Sequence, residues 1–353
     1  MWRWFLMLLV YVVPITAQTA RELEVSPGAG WVDSGVDLQV GDTVRVTASG
    51  ELQYTNARQS NGPQGLPRAF TDLVRVMQLN DAGRGALIGC IGTNDAARPF
   101  LLGANGSREA PVPGRLYLAV NQSTQDHASG SYHVMVQRTA ATAPATARRD
   151  VKVPAFSQSL LDSLPKRVSD PNGAPGDRVN FILIGSQEQV QAALKAAGWV
   201  VVDRTQNEAV LQGLLASLSK ESYVTMPMSE LDLFGRAQDF GYAQADPLKV
   251  VQTRHHFRIW KAPFALEGRP VWAGAGTHDI GFERDQRNNG ITHKIDPNTD
   301  GERDYIRESL EQTGMVVKTE YMTPTDPVTS AKTATGGEFH SDGRTLLVYL
   351  AEK

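Results

Sequence analysis

Apolar positions along the chain fall into three regimes. Residues 4–13 form an unbroken apolar run behind a single Arg3, closed by Pro14 and the small residues Thr16 and Ala17. From Leu23 to about Arg138 apolar and polar residues alternate in short stretches. Val36, Leu38 and Val40 are followed by Val44 and Val46, and further stretches cover 86–91, 116–120 and 132–136. Turn formers separate them at Gly41-Asp42, Asn61-Gly62, Asn105-Gly106 and Ser129-Gly130. Many short strands with Gly, Asn and Pro punctuation predict an all-β sandwich or jelly roll over 23–138. The side carrying Leu116, Leu118 and Val120 is the one expected in its core.

Residues 139–147 are a run of Ala and Thr with one Pro, too poor in apolar area to fold, and the whole of 139–177 reads as a linker. A short helix or tether is expected within it at 156–164. Beyond the linker the period changes. Residues 179–184 are a nearly continuous apolar run, the mark of a buried strand. Ser186 and Gln189 make a capping box, Val190, Ala193, Leu194 and Ala197 share one helical face, and Gly198 stops that helix. Residues 199–202 return as a strand. Thr205 and Glu208 predict a second capping box, ahead of a stripe of Val210, Leu211, Leu214, Leu215 and Leu218. In 250–261 a period of two puts His255, Phe257 and Ile259 on one side and His256, Arg258 and Trp260 on the other. A Gly/Ala-rich strand over 271–281 and a return strand over 291–295 flank an Asn289-Gly290 hairpin signal. That pairing sets Asp279 and His293 within about two ladder positions of each other. Thr299 and Glu302 predict a third capping box, with strands at 315–321 and 345–350. The reading is a multidomain chain: a β-sandwich, a linker, and an α+β domain with a mixed sheet over 178–353.

Length and charge sharpen this. The chain has 353 residues, which suggests two domains, and a net charge of −3, which excludes a basic nucleic-acid binder. One cysteine, Cys90, excludes an intrachain disulfide and a multi-thiolate metal site, and its apolar neighbours mark it as a buried small side chain. The N-terminal layout is that of a secretory signal peptide over 1–17, cleaved after Ala17. Its apolar run is about 15 Å long as a helix, against a hydrocarbon core of about 30 Å. The expectation is a secreted or periplasmic protein with no transmembrane helix in the mature chain; an uncleaved anchor is the alternative. Asn105-Gly106-Ser107 and Asn121-Gln122-Ser123 match a glycosylation acceptor and read as ordinary turns.

Over 30–138 the chain resembles the calcium-dependent galactose-binding lectins of the PA-I galactophilic type. The match is carried by Gly41-Asp42, Thr47-Ala48-Ser49-Gly50, Tyr54, Gly62-Pro63-Gln64-Gly65, Gly85-Ala86-Leu87-Ile88, Asn121 and Ser129-Gly130-Ser131-Tyr132. The resemblance implies a calcium-dependent carbohydrate-binding module; the competing reading is a structural sandwich that has lost its ligand site. Its ligands map onto Tyr54, whose backbone carbonyl holds the ion in the family, and onto the 122–128 loop, with Gln64 near the sugar. Gln122 stands where the family has Asp, and His127-Ala128 where it has an Asn pair; Asp126 is the substitute carboxylate.

Over 178–350 the chain resembles the LssY-like C-terminal domain family. The carrying residues are Asn180-Phe181-x-Leu183-Ile184-Gly185-Ser186, Ala197-Gly198-Trp199, Arg254-His255-His256-x-Arg258-x-Trp260, Asp279-Ile280-Gly281, Ile291-Thr292-His293-x-Ile295-Asp296 and Asp300-x-Glu302-Arg303-Asp304. No activity follows from the resemblance, and His278 lies outside its pattern. The candidate catalytic residues are His256, Arg258, Asp279, His293 and Asp296, joined by Glu302. Of these, His256, His293 and Asp279 are the candidate ligands of a divalent metal. A His–Asp pair also suits a general base, with Arg258 or Arg303 holding an anion. No H-E-x-x-H, G-x-S-x-G or P-loop is present. Two functions compete: an envelope binding or scaffolding protein with a carbohydrate or envelope component as partner, and an envelope hydrolase, metal- or phosphate-dependent, with its site around His256, Asp279 and His293.

Overall fold

The alternation on either side of Gly41-Asp42 folds as strand, yet the turn between is not a hairpin. The structure, a computed structural model, describes residues 18–67, 77–79, 81–141, 153–202, 228–245, 254–284, 291–333 and 336–351. The N-terminal strands are β1 (Gln18–Val25), β2 (Val32–Leu38), β3 (Thr43–Tyr54), β4 (Leu87–Ile91), β5 (Phe100–Leu101), β6 (Asn105–Glu109), β7 (Gly114–Val120) and β8 (Ala128–Thr139). They form two antiparallel sheets, ordered β1-β8-β3-β6 and β2-β7-β4-β5. Thus β2 and β3 belong to opposite sheets, and Gly41-Asp42 is the corner between them. The Asp42 carboxylate fixes that corner, accepting from Gln39 N (2.8 Å), Ala141 N (3.0 Å) and Arg138 Nε (2.6 Å). Val36 and Leu38 face Val44, Val46, Leu52, Leu87, Tyr132 and Val134 in one core. Leu116, Leu118 and Val120 are buried there as the alternation requires. Cys90 is also buried, and desolvation pushes its thiol up to about 11, the behaviour of a packing residue. Asn121 is fully buried and its amide donates to the carbonyls of Leu79 and Ala82, so it acts as a loop tie and not as a glycan acceptor.

The C-terminal part contains α1 (Gln158–Ser163), β9 (Arg167–Ser169), β10 (Pro175–Arg178), β11 (Phe181–Ile184), α2 (Gln187–Ala196), β12 (Val200–Val201), β13 (Asp232–Leu233), β14 (Arg236–Ala237), β15 (Phe240–Ala245), β16 (Arg254–Leu266), β17 (Arg269–Arg284), β18 (Ile291–Ile295), α3 (Thr299–Glu311), β19 (Val316–Met322), β20 (Ser330–Lys332), β21 (Glu338–His340) and β22 (Thr345–Leu350). The main sheet runs β12-β15-β16-β17-β11-β22-β19, with β18 added on β17. It is mixed, because β11 pairs β22 in parallel while its other ladders are antiparallel. Helices α2 and α3 cover one face over Phe181, Leu194, Trp199, Phe257, Trp272, Ile306 and Leu310. The small residues of β17 allow this: a Cβ on Gly274 would lie 2.1 Å from the Phe181 ring, and one on Gly276 2.7 Å from Ile306 Cδ1.

Two expectations change. The stretch from 153 onward does not behave as linker: Phe156, Leu161 and Leu164 pack under Ile182, Ile184 and Tyr349, and β9, β10, β13 and β14 make a small sheet over the second face. Apolar side chains spaced singly through a Pro- and Gly-rich stretch are invisible to periodicity yet find a sheet to cover. The N-cap of α3 is Asn298, whose Oδ1 accepts from Asp300 N, and not Thr299. Glu302 is turned inward instead of back to the cap. The capping box of α2 forms as expected: Ser186 Oγ accepts from Gln189 N, and Ser186 N donates to Gln189 Oε1 at 2.7 Å. The helix expected after Thr205, the Asn289-Gly290 turn, the signal segment 1–17 and residues 142–152 lie outside the described residues.

Candidate functional site

Strand alternation distributes the C-terminal polar residues over both faces of the main sheet. On the face covered by the small sheet, Arg254, His256, Arg258 and Trp260 alternate along β16. Their ladder partners on β17 are Asp279, Thr277, Ala275 and Ala273. The two alanines leave room for Arg258 and Trp260. Arg254 Nε donates to Asp279 Oδ2 at 3.3 Å, His256 Nδ1 lies 3.6 Å from Asp279 Oδ1, and His256 Nε2 shares a 3.1 Å hydrogen bond with Thr277 Oγ1. Arg258 donates through Nε and Nη2 to Ser229 O. All five side chains are buried. Burial pushes Asp279 up to about 7 against the pull of Arg254 and Arg258. His256 and Asp279, singled out in the sequence, therefore meet, and Arg258 lies along the same face.

The other two candidates sit apart or beyond view. Asp296 Oδ1 accepts from Asn298 N at 2.9 Å, which makes it the turn residue ahead of α3. The backbone register sets His293 opposite Phe282 and Ile295 opposite Asp279, with a bulge between Asp279 and Gly281. The side chain of His293 lies outside the described residues. Among the described residues no group of three or more His, Cys, Asp or Glu is disposed to hold a metal ion.

On the opposite, helix-covered face lies a second polar cluster, of which the sequence reading had named only Glu302 as a candidate. Glu302 is buried and its Oε2 lies 2.6 Å from His255 Nδ1. Desolvation holds its carboxyl well above the usual range, opposed by His278. The His255 ring is sandwiched in parallel between Tyr305, at 3.7 Å, and its ladder partner His278, at 4.2 Å. Tyr305 Oη donates to Gln244 Oε1 at 2.7 Å and accepts from Nη2 of Arg98 at 2.6 Å. Arg98 belongs to the loop between β4 and β5, so the N-terminal part completes this cluster. Asn94 of the same loop donates to Glu308 Oε2 on α3. Cross-strand alternation could have paired His278 with His255; nothing local marks Arg98 or Gln244.

The motif residues Asp300, Arg303 and Asp304 form a clamp. Arg303, 1% exposed, donates to Asp342 Oδ1 at 2.7 Å and Oδ2 at 3.2 Å, Asp304 Oδ1 at 3.0 Å, Asp300 Oδ1 at 3.1 Å and Arg344 O at 3.0 Å. The donors saturated in this way fasten α3 to the β21–β22 turn and leave no open fork for a ligand.

In the sandwich, Tyr54, Gln122 and Asp126 do converge. Tyr54 Oη donates to Gln122 Oε1 at 2.9 Å, and the Tyr54 carbonyl accepts from Ala57 N and Gln53 Nε2. Gln64 is exposed, its amide 2.4 Å from where a Cβ on Gly103 would stand. Asp126 Oδ1 accepts from Arg84 Nη1 at 2.9 Å and Oδ2 from Ser123 N and Oγ. Arg84 also donates to Asn56 Oδ1 and stacks 4.3 Å over the Tyr54 ring. A buried guanidinium supplies the positive charge here. With these carbonyl and carboxylate oxygens engaged, this donor set does not fit a calcium ion, which requires six to eight oxygens.

A sandwich followed by a helix-covered mixed sheet with buried His, Arg and carboxylate pairs is the class of protein defined so far. Residues 161–345 match the family model described as LssY C-terminus, and the chain belongs to that family. A solved structure described as the N-terminal domain of EclA, a PllA-like lectin, is similar at 21% identity over 33% of this chain and 95% of that one, with a TM-score of 0.26. No curated protein matches the chain. Among the described residues no helix is long and apolar enough to cross a membrane.

Proposed function

We propose that the protein is exported, by cleavage after Ala17, and acts in the cell envelope as a binding or scaffolding protein. In this reading the sandwich is a carbohydrate-binding-like module and the LssY-type domain a binding body, with the boundary between them in 139–152. One observation carries the binding reading: the candidate polar residues are tied into ion pairs, Asp126 with Arg84, Asp279 with Arg254 and Arg303 with three aspartates. Buried ion-pair networks of this kind hold structure together. N-terminal mass spectrometry of the exported chain should find Gln18 first. A glycan array run with and without calcium should give calcium-independent binding; an empty array in both conditions refutes the sandwich's assignment.

A second reading, an envelope hydrolase, draws on Asp279, a buried carboxylate pushed up to about 7 beside His256. Under it, His256→Ala and Asp279→Ala variants fold and lose bound metal or hydrolytic turnover. Under the first reading the purified protein is metal-free and the same variants lose stability.

A further inference from the structure

We propose that Arg98, with the Tyr305–His255–Glu302 group it reaches, forms a binding site for an oxyanion, the phosphate or carboxylate head of a small ligand, shared between the sandwich and the main sheet. The site lies on the opposite face of β16 from His256.

Arg84, Arg254 and Arg303 each have a carboxylate oxygen within 3.3 Å. Arg98 has none among the described residues. Its Nη2 donates to Tyr305 Oη and to Gln244 Oε1, both neutral oxygens. Its Nε is buried and, among the described residues, has no hydrogen-bond partner. A guanidinium presents five N–H groups in a planar fork that matches carboxylate and phosphate, so a buried unsatisfied Nε–H marks an edge of that fork left to be filled. Of the nearby acids, Glu302 is bonded to His255 and Asp95 is exposed on the loop. Gly198 lies beside the fork: a Cβ there would stand in ordinary contact with it, 3.9 Å from Arg98 Cζ, and 2.7 Å from Gln244 Nε2. The stacked rings of Tyr305, His255 and His278 lie on the same side of the sheet. Ligand sites commonly form where two packed bodies each contribute side chains.

The full-length exported chain is titrated with inorganic phosphate, and separately with acetate, at constant ionic strength set by chloride. Binding is read by calorimetry and by thermal unfolding. Phosphate is expected to bind and to raise the unfolding temperature. Arg98→Gln should weaken that binding at least tenfold, while Arg115→Gln, at a half-exposed arginine of the sandwich, leaves it unchanged. Binding of phosphate without acetate assigns a phosphate head; binding of both assigns a general oxyanion site. Should Arg98→Gln fail to fold, the Arg98 Nε–H resonance of the 15N-labelled wild type serves instead and must shift with the calorimetric midpoint. Absence of saturable binding by either anion, equal affinity in Arg98→Gln, or an unmoved Nε–H resonance overturns the proposal.

Discussion

Replacing Arg303 by Met tests whether the Asp300-x-Glu302-Arg303-Asp304 motif is a fastening or a reactive site. Arg303 is almost fully buried, while its partners are graded: the Asp300 side chain is 18% exposed, Asp342 33% and Asp304 40%. Removing one partner of a buried ion pair costs about 3–5 kcal/mol, because the remaining charges lose their counter-ion. Here water reaches the partly exposed aspartates and screens them, so the lower end, about 3 kcal/mol, is expected. For a unit of this size that is a fall of roughly 6–12 °C in unfolding temperature. A pH signature accompanies it. Arg303 and Arg344 hold the Asp342 carboxyl far below the usual carboxylate range, desolvation notwithstanding. A depressed carboxylate contributes stability above its unfolded-state pKa and loses it as pH falls through the folded one. The wild type should therefore lose stability steeply below about pH 4, and Arg303→Met less steeply. Arg303→Lys, which keeps the charge without the fork, should fall between them. Calorimetric scans from pH 2.5 to 7 decide. An Arg303→Met protein that melts within a degree of wild type would show that the clamp holds nothing and that its carboxylates are available for chemistry.

Three further predictions follow from single sites. Asp126→Ala should destabilise the sandwich by about 3 kcal/mol, by leaving Arg84 buried without its carboxylate, while EDTA leaves the wild-type melting temperature unchanged; a calcium-dependent rise would contradict this. Asp279, pushed up by burial to about 7, contributes stability that is present at low pH and lost as pH rises from about 4 towards 7, so Asp279→Asn should lack that decline in urea unfolding. Parallel pH profiles for the two proteins would refute it. Ser186→Ala should cost about 1 kcal/mol by removing the capping box of α2, and an unchanged urea midpoint would mean that the helix start is held by packing alone.

Much of the architecture was legible in the residues. The strand-and-turn rhythm of 36–136 marked a sandwich and the correct inward side of β7. The run over 179–184, the Ser186/Gln189 box and Gly198 marked a buried strand and the helix after it. The His255/His256 alternation was legible too, and it put the two imidazoles on opposite sides. The candidate site was half legible: His256 and Asp279 meet, and Asp296 turns away into the start of α3. The sheet partner of β2 was hidden, because a two-residue corner looks the same whether the next strand pairs beside it or crosses to the facing sheet. The short helix within 156–164 was expected and forms as α1, but the packing of the stretch from Phe156 to Arg178 was hidden because its apolar residues follow neither period.

What the sequence by itself determined is everything governed by neighbours a few residues apart: periods, caps, turns, and which side of a strand a residue takes. Only the tertiary structure decided which charges meet. Arg84 reaches Asp126, Glu302 turns to His255 instead of to its own helix cap, and Arg98 crosses from one body to the other over 207 positions to reach Tyr305. Buried charges must find counter-charges or hydrogen-bond partners wherever packing puts them. Those partners are set by sheet order and register, which local pattern does not encode.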